Sequence, residues 1–384
     1  MRSERPGTMG ALAAAAALLA LAAGCERGRV EPNGQRVAIG LVVSAQGPGR
    51  LAEEPGLEAV EWYFQRQPLT RDGTRVEVVT ADDRSSADGL ASALATLARR
   101  PDLVAVVTFA PGDRLLEAAP RIDALGVPIV AAAATNPAVA ESTRFVSLLS
   151  FDDPFQATVA ALYARNELGL RRAAVFSVPG SPRSQLLAGK FASRFEGSGG
   201  RVVAQGAMSA TADPAALVEL ARQAESDVAY LALEPADALA LAGAVAGSGW
   251  NPVLMVPDGV LAGALEADPG RAGLLEGALG TDLYAPGMYI APAGRKLLGE
   301  YGRRGRRVTT HGVLGLEAAD LLGFAVEHCG TDPDRACVQG VLRTPGHLAG
   351  ALGSVAFRET GLAERPVVVN TLRDGRREFV ARVY

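Results

Sequence analysis

A threonine at the end of an apolar run is the first residue whose position suits ligand chemistry. The run Ile129–Ala134 follows Pro128 and contains no polar residue, which is typical of a strand buried on both faces of a parallel sheet. Polarity returns at Thr135, and Pro137 stops the strand pairing. Ligands of open α/β sheets bind at the carboxyl ends of strands, so Thr135 is a candidate site residue. The alternative is an ordinary strand-to-loop turn.

The sequence contains none of the common motifs for nucleotide binding or covalent catalysis. G-x-G-x-x-G and G-x-x-x-x-G-K-[ST] are absent, and Pro48 removes a backbone donor that a phosphate cradle would need. G-x-S-x-G is also absent, and the three histidines, His311, His328 and His347, form no metal-binding or nucleophile pattern. Together with the membrane anchor and paired lobes described below, this favours binding over catalysis, with no cofactor and no metal.

Length and charge limit the class of protein further. A chain of 384 residues is too long for one ordinary core, so two domains are expected. Hydrophobic residues make up 48% and charged residues 21%, as in globular proteins. The formal net charge of −4 offers no basic face for phosphate neutralisation, so nucleic acid is not an expected partner.

The first residues have the pattern of a processing signal. Arg2 and Arg5 precede Ala11–Ala23, an Ala/Leu run that is too short to span a bilayer as a mature anchor. The run ends in LAAGC, which resembles a bacterial lipobox and implies a signal peptide over residues 1–24 and a lipid on Cys25. A polar tether over residues 25–35 would follow. We expect the mature protein to lie outside the cytoplasm, anchored to a bacterial membrane; a plain secretory cleavage site is the alternative.

Two further cysteines remain once Cys25 is assigned to the lipid. Cys329 and Cys337 flank the short segment GTDPDRA, and an oxidising compartment favours a disulfide between them. Two buried thiols are the alternative. A zinc site with His328 or His347 is less favoured, because the spacing matches no common ligand pattern.

Apolar runs that alternate with helical segments predict the fold. Segments with apolar residues at helical spacing separate short, β-branched runs, which predicts βαβ units and parallel sheets. The same order begins again after residue 150, so we predict an α/β fold of two Rossmann-like lobes that ends in a β-hairpin turning at Asp374–Gly375. The predicted strands are Arg36–Val43, Val76–Thr80, Leu103–Phe109, Ile129–Ala134, Arg171–Val178, Arg201–Gln205, Val228–Leu233, Val253–Val256, Val367–Leu372 and Glu378–Val383.

The order of these elements resembles the type I periplasmic binding proteins, in particular the Leu/Ile/Val-binding proteins of ABC importers. The resemblance covers Arg36 to Tyr384 and is carried by VAIGLVVSAQGPG, VEVVTADD, GVPIVAAAATNPAV, LMVPDGV and GSVAFRETGLAERPVVVNTLRDG. It implies two lobes joined by three hinge crossovers, near Ser150, Thr281 and Ala363. Lobe one would comprise residues 36–149 plus 283–362, and lobe two residues 150–282 plus 364–384.

The resemblance also implies roles for two turns. In the family, the turn matching Ala133 to Thr135 binds the ligand carboxylate through backbone N–H groups and a hydroxyl, which suits an anion. The acid of the family's P-[DE]-G turn binds the ligand ammonium, and here it is Asp258. The alternative for Asp258 is a turn residue that caps its own backbone.

Several positions depart from the family pattern. Where the family has a carboxylate-binding Ser after the third strand, this chain has Gly112, followed by Asp113. The aromatic expected over the ligand falls near Arg183, and a second aromatic position falls at His311. Tyr230 and Tyr284 are the tyrosines that would contribute to the ligand cage. The part of the site that would bind a ligand amine therefore matches the family pattern better than the part that would bind a ligand carboxylate.

These features predict a solute-binding protein that captures an amino acid or amino-acid-like solute and delivers it to an ABC permease. The mechanism is closure of the lobes, because a ligand that contacts both lobes stabilises the closed state. A ligand sensor or scaffold of the same fold that signals to a membrane partner is the alternative. An extracytoplasmic enzyme is a third, less favoured possibility.

Overall fold

A computed structural model describes residues 30–47, 50–303, 305–344, 347–350 and 352–384. The predicted signal peptide, Cys25, Pro48 and residues 26–29 of the predicted tether lie outside these residues. Within them, no helix is long and apolar enough to cross a membrane.

The first sheet is built from parallel strands in the order β2-β1-β3-β4-β5. Its strands are nearly continuous apolar runs because helices cover both faces. In β1, Ile39 and Leu41 pack toward one layer of helices, whereas Ala38 and Val42 pack toward the other. The strands are β1 (Arg36–Val43), β2 (Arg75–Asp82), β3 (Leu103–Thr108), β4 (Ile129–Ala131) and β5 (Val146–Leu148).

The second sheet has the order β15-β14-β10-β9-β8-β6-β7. Strands β6 to β10 are parallel, and the terminal hairpin β14–β15 adds two antiparallel strands beside β10. The hairpin turns at Asp374 and Gly375, both with positive φ, as predicted. The strands are β6 (Arg172–Ser177), β7 (Arg201–Ala207), β8 (Val228–Ala232), β9 (Val253–Val256), β10 (Leu279–Asp282), β14 (Val367–Arg373) and β15 (Arg376–Val383).

A small antiparallel sheet and the helices complete the described fold. The small sheet contains β11 (His347–Gly350), β12 (Gly353–Phe357) and β13 (Ala363–Glu364). The helices are α1 (Arg50–Arg66), α2 (Ala87–Ala98), α3 (Gly112–Leu125), α4 (Ala138–Ser142), α5 (Asp153–Leu162), α6 (Pro182–Gly197), α7 (Pro214–Gln223), α8 (Pro235–Ser248), α9 (Val260–Ala267), α10 (Pro269–Ala272), α11 (Pro292–Gly302), α12 (Thr310–His328) and α13 (Arg335–Arg343).

The chain passes between the two large sheets three times, which confirms the predicted fold class. It leaves the first sheet after β5, leaves the second after β10, and returns at β14. Between the last two crossings, α12 packs on α1 of the first layer. That contact is close, because a Cβ at Gly315 would lie 2.2 Å from the carbonyl oxygen of Gly56. We call the parts built on the first and second sheets lobe one and lobe two.

Some predicted boundaries differ from the structure. Strand β4 ends at Ala131 rather than at the predicted Ala134, because its pairing with the neighbouring strand β5 ends at Leu148. The strands β5 (VSL) and β10 (LGTD) were not predicted, since polar residues interrupt their short apolar runs. Cys329 and Cys337 form the predicted disulfide, with their Cα atoms 5.9 Å apart.

Candidate ligand-binding cleft

A cleft of about 490 Å³ lies between the two lobes. Six of the seven predicted site residues line it: Gly112, Ala133, Thr135, Arg183, Asp258 and His311. The lobe-one wall is formed by the segments that follow β3 and β4 and by the start of α1. The lobe-two wall is formed by the starts of α6 and α8 and by the turn after β9. The carboxyl ends of strands from both sheets therefore meet in one place, as expected for an open α/β fold.

Thr135 lies in the lobe-one wall, beyond the end of β4, and is almost completely buried. Its carbonyl oxygen accepts a hydrogen bond of 2.8 Å from the backbone N–H of Asp153, at the start of α5. Gly112 lies beside this loop, and a Cβ there would be 2.9 Å from the Cβ of Asn136. The close approach explains why this chain has glycine where the family pattern has serine. Gly112 lines the cleft but has no hydroxyl.

Asp258 follows β9 and faces Arg183, at the start of α6, across the cleft floor. The two side chains form an ion pair, and Arg183 Nε also lies 3.3 Å from Asp153 Oδ1. Glu234 is the third carboxylate around this guanidinium, at 3.6 Å. Arg183 thus holds several acidic side chains together in the part of the cleft where the P-[DE]-G turn lies.

The side chain of Gln156 holds the turn that contains Asp258 through hydrogen bonds. Its Nε2 donates hydrogen bonds to Asp153 Oδ1 (2.7 Å) and to Asp258 Oδ1 (2.6 Å). Its Oε1 accepts from the backbone N–H of Asp258 (3.1 Å) and from the hydroxyl of Thr281 (2.7 Å). Because Gln156 belongs to α5 and Thr281 to β10, the turn is held at the point where the chain crosses between lobes.

Burial and neighbouring charges set the protonation of this cluster. Burial raises the pKa of Asp153 to about 6, with Asp258 adding to the rise and Arg183 opposing it. Burial also disfavours the charged form of Arg183, but Asp258, Asp153 and Glu234 outweigh it and raise the pKa of Arg183. The guanidinium is therefore charged at every pH at which the protein is folded.

His311 lies in the first turn of α12, which Thr309 caps by accepting a hydrogen bond of 3.0 Å from Gly312. Its ring centroid is 5.9 Å from that of Phe109, which also lines the cleft. Burial lowers the pKa of His311, although Glu266 and Asp258 oppose the shift. His311 therefore presents a neutral ring to the cleft near pH 7.

Tyr230 does not line the cleft, contrary to the prediction. It lies in the middle of β8, is fully buried, and stacks on Phe191 of α6 with the ring centroids 4.1 Å apart. A residue in the interior of a parallel strand points into a helix-covered face rather than to the strand end. Tyr284 is also buried and is absent from the described cleft lining.

Several acidic and amide side chains at or behind the cleft wall were not predicted from the sequence: Glu53, Asp153, Gln156, Glu234, Glu266 and Asp282. Asp282 ends β10 and pairs with Arg377 of the terminal hairpin. Asp153 lies in the first turn of α5 and is completely buried, and no signal in the sequence marked it. Glu53, Gln156 and Glu266 lie on helices, whose polar residues ordinarily face solvent, and Glu234 directly precedes α8.

A larger cavity of about 780 Å³ meets the cleft at Phe151 and Leu283. It contains none of the predicted site residues and is lined by parts of α5, β12 and the terminal hairpin. The smaller cleft is the candidate ligand site, because the ends of parallel strands from both sheets converge there on polar side chains.

Comparison with known proteins identifies the family. Residues 36–376 match the family model described as "Periplasmic binding protein", and the chain belongs to this family. It is similar to the leucine-binding protein LivK of Thermotoga maritima, with 27% identity, a TM-score of 0.80, and coverage of 90% of this chain and 98% of that one. None of the curated proteins compared with the chain matches it.

Two more distant structures share the fold. The branched-chain amino acid transporter substrate-binding protein LivJ of Streptococcus pneumoniae, in complex with isoleucine, is 18% identical with a TM-score of 0.76, and the match covers 90% of this chain and 99% of that one. A solute-binding protein of Rhodopseudomonas palustris, in complex with 4-hydroxybenzoate, is also 18% identical with a TM-score of 0.76, with coverage of 91% and 96%. The predicted resemblance to type I periplasmic binding proteins is confirmed.

Proposed function

We propose that this protein is a lipid-anchored, extracytoplasmic solute-binding protein that captures an amino acid or amino-acid-like solute and delivers it to an ABC permease. The observation that carries the proposal is the cleft between the lobes, where predicted site residues from both sheets face each other. Membership of the periplasmic binding protein family and similarity to a leucine-binding protein support it. In this proposal the protein binds its solute without chemical turnover.

Closure of the lobes is the proposed mechanism. The backbone N–H groups of Gly112 and of the Ala133–Thr135 loop would bind a ligand carboxylate from lobe one. Asp258 would bind an ammonium group from lobe two. Since each lobe supplies part of the contacts, the closed state gains affinity that the open state lacks. The proposed lobes are residues 36–149 plus 283–362, and 150–282 plus 364–384, moving about the three crossings.

A thermal-shift screen over amino acids, amides and aromatic acids tests the binding function. A ligand at about 100 times its Kd stabilises the folded state by about 2.7 kcal/mol, which gives a measurable rise in Tm. We expect Asp258→Ala to abolish the shift for the best amine ligand, whereas Asp332→Ala, an exposed acid outside the cleft, leaves it unchanged. No shift with any solute, or turnover of a solute, would refute solute binding as the function.

Small-angle scattering tests the closure. We expect the radius of gyration to fall when the best ligand is added, because the lobes approach each other. An unchanged scattering curve at saturating ligand would contradict hinge closure while leaving binding itself intact.

Membrane attachment through Cys25 is a separate part of the proposal. We expect the protein to incorporate labelled palmitate and to sediment with membranes, since acyl chains anchor a polypeptide at a bilayer surface. Cys25→Ser should release it into the soluble fraction. Cys329→Ser is the matched control, because that sulfur forms the disulfide and should not affect sedimentation.

A further inference from the structure

The walls of the cleft are unbalanced in charge. Among the described residues that line it are six carboxylates and one guanidinium, that of Arg183. His311 adds no charge near pH 7, because burial lowers its pKa. The lining carboxylates come from both lobes and from the crossing strand: Glu53, Asp113, Glu234, Asp258, Glu266 and Asp282.

Neighbouring cations neutralise only part of this charge. Arg377 pairs with Asp282 and balances it. Arg183 is shared among Asp153, Glu234 and Asp258, so this cluster keeps an excess of negative charge. Asp113 and Glu266 form no ion pair within the described part of the chain. The result is a negative potential focused in a concave, partly desolvated site.

Glu53 shows independently that the lobe-one wall offers an unmatched acceptor. Its side chain is 5% exposed, and Oε1 makes no hydrogen bond among the described residues. Burial raises the pKa of the carboxyl, with Ser44 and Arg114 opposing the rise, so a nearby cation would favour its charged form. Arg114 Nη1 lies 3.6 Å away, but that guanidinium is bound more closely by Asp83, which is completely buried. A buried carboxylate oxygen without a donor is costly, so an arriving donor with positive charge would gain more here than in water.

Arg183 indicates what kind of group the lobe-two wall accepts. Its planar guanidinium is held between Asp153 and Asp258, with Glu234 at the rim. Carboxylates arranged around a planar cation suit an amine or a guanidinium and repel an anion. Gly112 and Thr135, whose backbone N–H groups could bind a ligand carboxylate, line the cleft together with Asp113, which would repel it.

We propose that the cleft selects solutes of net positive charge, such as a basic amino acid or a diamine, over zwitterionic aliphatic amino acids and aromatic acids. This inference rests on the proposed binding function and names its ligand class. Each lobe contributes acidic groups, so a cation with two separated positive centres, or one positive centre and an extended stem, would bridge Glu53 and the Asp258 cluster and favour closure.

Calorimetric titration of purified, solute-free protein with matched ligands tests the proposal. L-Arginine and L-citrulline have nearly the same shape but differ in side-chain charge. We expect arginine, lysine or putrescine to be the best ligand, and arginine to bind at least about tenfold more tightly than citrulline, since hydrogen bonds to charged groups are the stronger ones. The difference should shrink at high salt.

The variant Glu53→Gln tests the lobe-one wall. It should weaken binding of the best cation about tenfold and leave citrulline unchanged, because one charge is removed with little change of shape. Glu54→Gln, one residue along α1 on the exposed side, is the matched control and should bind like the unmodified protein. If Glu53→Gln fails to fold, the arginine and citrulline comparison decides alone.

The outcomes separate the two proposals. Equal affinity for arginine and citrulline, or tighter binding of leucine or 4-hydroxybenzoate than of every cation, would overturn the charge selection and leave solute binding intact. Failure of every solute in the panel, charged or neutral, would overturn the proposed binding function together with this inference.

Discussion

Replacing Arg183 with alanine should destabilise the protein in a way that depends on pH. The substitution removes the cation from Asp153, which is completely buried, and from Asp258, which is about one-fifth exposed. Gln156 still donates to both carboxylates but cannot neutralise them. Two like charges would then share one partly desolvated site, and this is unfavourable.

The separation of Arg183 and Asp153 gives the magnitude. At 3.3 Å and an effective dielectric constant of about 20, one ion pair is worth roughly 5 kcal/mol before desolvation. Losing the guanidinium also removes its own desolvation cost, so we expect a net loss of about 3 kcal/mol in the free energy of unfolding at pH 7.5. For a large domain this lowers Tm by about 6 °C.

The sign of the pH dependence follows from Asp153. Its folded-state pKa, about 6, is above the unfolded value, so its neutral form is favoured in the folded protein. The stability that this shift contributes is present at low pH and is lost as pH rises through 6. Without Arg183 the folded pKa rises further, because the guanidinium lowers it. The loss caused by Arg183→Ala should therefore be smaller at pH 5.5 than at pH 7.5.

Thermal unfolding at the two pH values is the assay, and Arg222→Ala is the control. Arg222 forms an exposed ion pair with Glu219, which is worth little, so its removal should change Tm by less than about 2 °C at either pH. If Arg183→Ala costs no more than this control, or costs the same at both pH values, the account of the cluster is wrong.

Two further perturbations test the packing and the disulfide. Gly315→Ala should destabilise the protein by about 2 kcal/mol or more, because its Cβ would lie 2.2 Å from the Gly56 carbonyl oxygen; Gly299→Ala, also helical and with open space around it, should be neutral or stabilising in urea unfolding. Cys329→Ser should lower the free energy of unfolding by about 2.5 kcal/mol, since the bond to Cys337 closes a short loop, and a reducing agent should then have no further effect on Tm. Similar losses for the two alanine variants, or an unchanged Tm for Cys329→Ser, would contradict these expectations.

The two-lobe fold could be predicted because most strands are buried on both faces. β1 and β3 consist almost entirely of apolar residues, so each strand can be predicted from its own residues alone. The Asp374–Gly375 turn could also be predicted, because both residues have positive φ and an Asp-Gly pair favours this conformation. The short strands β5 and β10 are defined by their neighbours in the sheet rather than by their own residues, so local pattern could not reveal them.

Candidate site residues could be predicted only where they follow a strand, because the end of that strand places them beside the cleft. Thr135 and Asp258 follow strands, and strand ends of this fold lie at the cleft. Tyr230 was predicted from its aromatic type, but it lies inside β8 and outside the described cleft lining. Asp153 and Gln156 are buried by contacts between distant parts of the chain, and no local pattern distinguishes them from polar residues of an exposed helix turn.

The position of the terminal hairpin has a consequence for biogenesis. A ribosome makes β10 well before it makes β14, yet β14 is the strand that pairs with the open side of β10. Until Val367 and the residues after it are available, that side of the second sheet displays unpaired backbone groups, which invite association with other chains. Chains truncated before the hairpin should therefore aggregate. The second sheet can be completed only after the last segment of the chain has been synthesised.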